Sequence, residues 1–312
     1  LASSPVVIDG TIYLQCDQTK DSFLIAVDRR NGKVKWKADR NEPDGWGVPV
    51  VYRDTLLAPG TRQLLRYALK TGEVVWSAPV SSLGSQGTPL IAGDLAIVNG
   101  FGFDKPIFPP FSEAAARLDA DQDATLTMAE CAKEVWLSSF GWIDINSDKV
   151  LTREEWEYTR NLGVGLGGTL AIPLNAGPTV EPDQFKWRFK RNLALVPSPL
   201  IYDGIFYMIK DAGIVTALNP ETGAVIKQGR SKEAMGQYLS SPVAADGKIF
   251  MATVDGKVTV LKTGQEWDVL RVNDLQDEIY ATPAISGNVL LIRTRSAIFA
   301  FGDQNAAPAS SQ

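Results

Sequence analysis

Ser4-Pro5-Val6-Val7-Ile8-Asp9-Gly10-Thr11-Ile12-Tyr13-Leu14 sets a pattern that the rest of the chain repeats. A small residue or valine precedes a proline. A short apolar run follows, then a turn dipeptide, then a second apolar run. The opening recurs at Val48-Pro49-Val50-Val51, Thr88-Pro89-Leu90-Ile91, Ser198-Pro199-Leu200-Ile201, Ser241-Pro242-Val243-Ala244 and Thr282-Pro283-Ala284-Ile285. The prolines lie 44, 40, 110, 43 and 41 residues apart, which gives a period near 42 and one insertion of about 68 residues. Self-similarity at such a period marks a repeat architecture.

Each unit reads as four short strands. The proline suits the first position of an inner strand, where a missing N–H costs little. Asp9-Gly10, Asp203-Gly204, Asp246-Gly247 and Gly287-Asn288 are dipeptides for hairpins that need positive φ. A third strand, such as Leu24 to Asp28, ends at a second turn such as Asn31-Gly32. The fourth follows that glycine and carries Trp36, Trp76, Trp187 or Trp267, which read as packing between neighbouring units. Four strands at a period in the low forties predict an all-β fold, a β-propeller with six visible four-stranded blades.

The stretch Ala26-Val27-Asp28-Arg29-Arg30-Asn31-Gly32-Lys33-Val34-Lys35-Trp36 resembles the tryptophan-docking motif of pyrroloquinoline-quinone-type (PQQ-like) propellers. Tyr67 to Trp76 is a weaker copy with Ala68 in the aspartate place. Ala217 to Gly223 is weaker again, with Lys227 in the tryptophan place. The resemblance covers about residues 1–103 and 166–302, and the chain is similar to bacterial extracytoplasmic propellers of this type that carry an EF-hand insertion. The resemblance implies a ring of about eight blades and a periplasmic or secreted location. The last unit, Thr282 to Gly302, has three strands. A closing strand is therefore expected from upstream of Leu1, since open sheet edges are a liability.

These readings divide the chain into propeller blades over 1–103, an insertion over 104–165, further blades over 166–302 and a disordered tail over 303–312. The insertion interrupts the third unit after its second strand, so the strands near Ile97 and Leu170 should pair directly. The geometry of a four-stranded blade predicts that it overhangs the face where the proline strands begin.

Two copies of one pattern lie in the insertion. Asp119-Ala120-Asp121-Gln122-Asp123-Ala124-Thr125-Leu126-Thr127-Met128-Ala129-Glu130 is the first. Asp144-Ile145-Asn146-Ser147-Asp148-Lys149-Val150-Leu151-Thr152-Arg153-Glu154-Glu155 is the second. Calcium takes six to eight hard oxygen ligands, and this spacing wraps them around one ion. The candidate ligands are Asp119, Asp121, Asp123, Thr125 through its carbonyl, and Glu130. Asp144, Asn146, Asp148, Val150 through its carbonyl, and Glu155 form the second set. Leu126 and Leu151, at position 8, are where two such loops join by a short β contact. Position 6, which favours glycine, holds Ala124 and Lys149.

Composition excludes several function classes. The 312 residues hold 31 Lys plus Arg and 36 Asp plus Glu, a net charge of −5, which argues against a nucleic-acid partner. There is no histidine, so no His base, His-assisted nucleophile or His-ligated metal is available. Cys16 and Cys131 fit no CxxC pattern, which excludes a disulfide framework, and the sequence leaves open whether the two pair. No apolar run is long enough to span a membrane. No nucleophile motif is present, and the adjacent cysteines of the quinone-dependent dehydrogenases are missing, which argues against bound pyrroloquinoline quinone. The expected function is a non-catalytic, calcium-binding, extracytoplasmic binding or scaffold module with a protein or glycan partner on the propeller face. The alternative is a quinone-dependent dehydrogenase-like or carboxylate-based enzyme on the channel face.

Overall fold

A computed structural model describes residues 3–81, 87–134, 137–162 and 164–302. The expected tail at 303–312 lies outside the described residues. Among the described residues six antiparallel sheets of three or four strands form the blades, and a two-stranded ladder lies in the insertion. Blade 1 is Val6–Ile8, Thr11–Cys16, Phe23–Asp28 and Val34–Asp39. Blade 2 is Val50–Tyr52, Thr55–Pro59, Gln63–Ala68 and Val74–Pro79. Blade 3 joins Leu90–Ala92 and Leu95–Gly100 to the distant Gly168–Pro173 and Trp187–Phe189. Blade 4 runs from Leu200–Tyr202 to Val225–Arg230 and blade 5 from Val243–Ala245 to Asp268–Asp274. Blade 6 has Ala284–Ser286, Val289–Arg293 and Ile298–Gly302. The chain is a β-propeller.

Turn chemistry explains the inner hairpins. Asp9 and Gly10 have φ of 45° and 74°, and Asp203 and Gly204 have 50° and 73°. Two consecutive positive values match the right-handed twist of the flanking strands, and Asp-Gly adopts them readily. Middle strands are buried on both faces, so alternate residues serve opposite neighbours. Leu56 packs on blade 1 and Leu57 on blade 3, while Phe206 packs on blade 3 and Tyr207 on blade 5. The core is thus a series of apolar layers between successive blades.

The residue before each proline links the blades. The Thr88 amide donates to Ser198 Oγ (3.1 Å), the Ser198 amide to Ser241 Oγ (2.9 Å) and the Ser241 amide to Thr282 Oγ1 (3.0 Å). A hydroxyl therefore ties each inner strand's start to that of the preceding blade, from blade 3 to blade 6. Val48, in the same place on blade 2, has no hydroxyl to offer.

The tryptophans pack between blades, with one exchange of direction. Trp36 of blade 1 lies over Gly72 of blade 2 and donates from Nε1 to Leu69 O (2.9 Å). Trp187 of blade 3 lies over Gly223 of blade 4 and donates to Pro220 O (3.0 Å). Trp267 corrects the expectation. The pairs Ala26↔Trp36 and Val260↔Arg271 show that Arg271 holds the strand position of Trp36. Trp267 lies in the turn before that strand and packs backwards, over Gly229 of blade 4. Lys227, in the tryptophan place of blade 4, lies with its ammonium 5.2 Å from the Trp267 ring centroid and accepts from its Nε1 through its carbonyl. One indole fills the seam between blades 4 and 5, supplied from the opposite side.

Candidate functional site

Leu95–Gly100 pairs directly with Gly168–Pro173, with Ile97 opposite Ala171 and Val98 opposite Leu170. The chain between them leaves blade 3 and returns to the same sheet. It contains helices α1 (Phe111–Leu118), α2 (Phe140–Ile143) and α3 (Arg153–Asn161). Its own core of Phe108, Phe111, Ala114, Leu126, Cys131, Phe140, Ile143, Leu151 and Trp156 is separate from the layers between blades. Cys131 is buried there, and neither it nor Cys16 forms a disulfide.

The two twelve-residue loops lie side by side. Leu126 pairs with Leu151 and Thr127 with Val150 in a two-stranded ladder. In the first loop the carboxylates of Asp119, Asp121 and Asp123 can bring one oxygen each within 4.8 Å of the others. Asp119 accepts from the amides of Asp123 (3.2 Å) and Ala124 (3.0 Å). Glu130 folds back across the loop, accepting from the Ala120 amide (2.9 Å) and from Thr127 N and Oγ1 (both 2.8 Å). These donors hold its pKa below the usual glutamate value, the Thr127 amide contributing most.

The second loop repeats this geometry. Asp144 accepts from the amides of Asp148 (3.1 Å) and Lys149 (2.9 Å), and Asp148 from Val150 (2.9 Å). Glu155 receives the Asn146 amide (3.3 Å) and the Thr152 amide (3.0 Å), and Thr152 caps α3 in a capping box with it. Asp144 and Glu155 are buried, so this loop is the more enclosed of the two. Ala124 and Lys149 have φ of 65° and 71°. The backbone takes the left-handed turn that position 6 requires, although neither residue is glycine.

A cavity of about 420 Å³ lies where this segment meets the propeller. One wall comes from Thr19, Asp44 and Trp46 of the propeller, the other from Trp142, Ser147 and Tyr158. Asp44 and Trp46 lie in the connection leading to the proline strand of blade 2, so the loop pair stands over that face. The connection is firmly anchored. Buried Arg40 donates to Asp17 from Nε (2.7 Å) and Nη2 (3.1 Å) and to Pro59 O (3.2 Å). Ser22 Oγ donates to Glu42 O (2.7 Å), the Arg62 amide to Glu42 Oε2 (2.8 Å), and Thr61 Oγ1 to Asp44 O (3.1 Å). Burial pushes the Glu42 carboxyl up to about 7.

Sequence reasoning did not single out this cavity. Its available signals were Gly45-Trp46-Gly47, a tryptophan outside the repeat positions, and Trp142, two residues after Phe140 and one before Ile143. Phe140 and Ile143 face the core, and Trp142 turns outward.

Among the described residues no helix is long and apolar enough to cross a membrane. Comparison with curated protein sequences finds no match. Among solved structures, BamB from Moraxella catarrhalis is 11% identical over 98% of this chain and 84% of its own, with a TM-score of 0.46. Quinohemoprotein alcohol dehydrogenase from Comamonas testosteroni is 12% identical over 87% of this chain, with a TM-score of 0.54, and this chain spans 42% of that enzyme. A chain of the mitotic checkpoint complex is 8% identical over 93% of this chain and 69% of its own, with a TM-score of 0.55. At such identities the likeness is one of fold alone. The repeat itself decides the family: residues 20–307 match the one described as outer membrane protein assembly factor BamB, and the chain belongs to it.

Proposed function

We propose that the chain is a non-catalytic, calcium-binding propeller that acts outside the cytoplasm as a binding or scaffold module. The observation that carries the calcium reading is the pair of matched loops, each with a glutamate folded across it and a left-handed residue at position 6, the first also with three aspartates whose oxygens converge. Asp119, Asp121, Asp123 and Glu130, with the Thr125 carbonyl, would hold one ion. Asp144, Asn146, Asp148 and Glu155, with the Val150 carbonyl, would hold the second. All are hard oxygen donors, which suits calcium. The family match and the propeller fold support a scaffold role toward a protein partner, and a glycan partner is part of the same proposal. They also favour an extracytoplasmic setting, where calcium is abundant enough for weak sites.

A non-glycine residue held at positive φ costs about 1–2 kcal/mol. The expected dissociation constants are therefore on the order of 10⁻⁴–10⁻³ M, as in extracellular modules. Isothermal titration of the metal-stripped chain should give calcium heat that Glu130→Gln and Glu155→Gln together abolish. Ala124→Gly and Lys149→Gly should each tighten a site by about tenfold. A metal-stripped chain that gives no calcium heat refutes the reading.

A further inference from the structure

We propose that the cavity between the second loop and the propeller is a saccharide-binding site, with Trp46 and Trp142 as stacking platforms and Asp44 as the hydroxyl acceptor. This deepens the reading of the chain as a binding module and rests on it for a glycan partner on this face, but not on calcium.

The first argument is the exposure of the two indoles. Trp46 is 42% exposed and Trp142 is 47% exposed, whereas the indoles between blades are largely covered. Each indole leaves nearly half of its surface uncovered. One from the propeller and one from the insertion, they line a single cavity of about 420 Å³. That lies in the range for a small-ligand site, 300–1,000 Å³. The C–H face of a pyranose ring is apolar and matches an indole face, while its hydroxyls project from the rim.

The second argument is the polar lining. Thr19, Ser147, Tyr158 and Thr159 contribute hydroxyl groups, each able to donate and accept. Both Asp44 carboxylate oxygens lie near Thr19 Oγ1, at 3.3 and 3.2 Å, and have acceptor capacity left for ligand hydroxyls. Asp144 also lines the cavity, but its two oxygens already accept the Asp148 and Lys149 amides. A purely apolar ligand would leave these groups unpaired. A phosphate or other anion would meet Asp44 and Asp144 with no lysine or arginine among the lining residues.

The third argument is preorganisation. The wall bearing Asp44 and Trp46 is fixed by the buried Arg40–Asp17 pair and by the bonds from Ser22, Arg62 and Thr61. A wall held in place before binding loses little entropy when a ligand arrives.

The test applies the full chain to an array of neutral cello-, xylo-, manno- and chito-oligosaccharides. Trimethylammonium and uronate probes serve as contrasts, in calcium and in chelator. Retention of a neutral oligosaccharide is expected, with a loss of about tenfold in Trp46→Ala and in Trp142→Ala. Trp46→Phe should recover part of the loss. Circular dichroism of each variant should match the parent, since both side chains are exposed. If no neutral oligosaccharide is retained, or retention survives both substitutions, the proposal is overturned. Retention of the trimethylammonium probe alone overturns it in favour of a cation site. The calcium reading is judged separately by its own titration heat, so either reading can fail without the other.

Discussion

Gly204 and Gly223 belong to the same blade and have nearly the same backbone, with φ of 73° and 70°. Changing each to alanine separates backbone strain from blade docking. In both, an L residue at positive φ costs about 1–2 kcal/mol, offset by about 0.4–1 kcal/mol through the stiffer unfolded chain. These contributions cancel in the comparison. What differs is the space. A Cβ at Gly204 meets nothing within 4 Å, whereas at Gly223 it would lie 2.6 Å from Trp187 Cδ2 and 2.7 Å from Cγ. Carbon contacts relax near ~3.5–4.0 Å, so the buried indole must retreat by about 1 Å. Overpacking of that kind costs about 1–3 kcal/mol, and loss of the bond from Trp187 Nε1 to Pro220 O about 1 kcal/mol more. Gly223→Ala should therefore be less stable than Gly204→Ala by about 2–4 kcal/mol. Urea denaturation followed by far-ultraviolet circular dichroism measures the difference. Equal stabilities would refute the claim that tryptophan docking holds blade 3 to blade 4.

Two further predictions concern the propeller. Ser241→Ala removes the acceptor of the Ser198 amide and should cost about 0.5–1.5 kcal/mol in the same denaturation assay, with Ser241→Thr near parental stability. Glu42 has a folded pKa of about 7, above its ordinary 4.5, so its stabilising contribution is complete below about pH 4.5 and is lost as pH rises through about 7. Glu42→Gln keeps an oxygen for the Arg62 amide and should flatten that dependence, gaining up to about 3 kcal/mol at pH 8 relative to pH 4.5; parallel pH profiles for the two proteins would contradict it.

The fold was legible because its signals are local and repeated. Proline, an apolar run and Asp-Gly each act within a few residues, and six recurrences remove the ambiguity of any one. The insertion was equally visible, because Ile97 and Ala171 stand on matching strands of an otherwise regular unit. The direction of Trp267 was not legible. Its turn is one residue longer than that of blade 1, with seven residues between Leu261 and Val269 against six between Val27 and Val34. Side chains alternate faces along a strand, so a small change of length reassigns which residue faces the neighbouring blade.

The loops and the cavity differ in the same way. A twelve-residue loop draws its ligands from one short segment, so residue types at fixed spacing specify most of its geometry. Its left-handed position 6 survives even with Ala124 and Lys149 in place of glycine, because the flanking acceptors Asp119 and Asp144 capture those amides. The cavity draws Thr19, Trp46 and Trp142 from three segments that meet only when the propeller has formed and the loop pair has settled on it. No spacing in the sequence encodes that meeting. What the sequence does encode is cost: an indole left nearly half exposed forgoes part of the burial worth about 1.5–3 kcal/mol for a large apolar side chain. Trp46 and Trp142 keep 42% and 47% of their surface exposed beside one cavity, whereas Trp76 and Trp156 are fully buried, and this contrast is what favours a ligand role for the first pair.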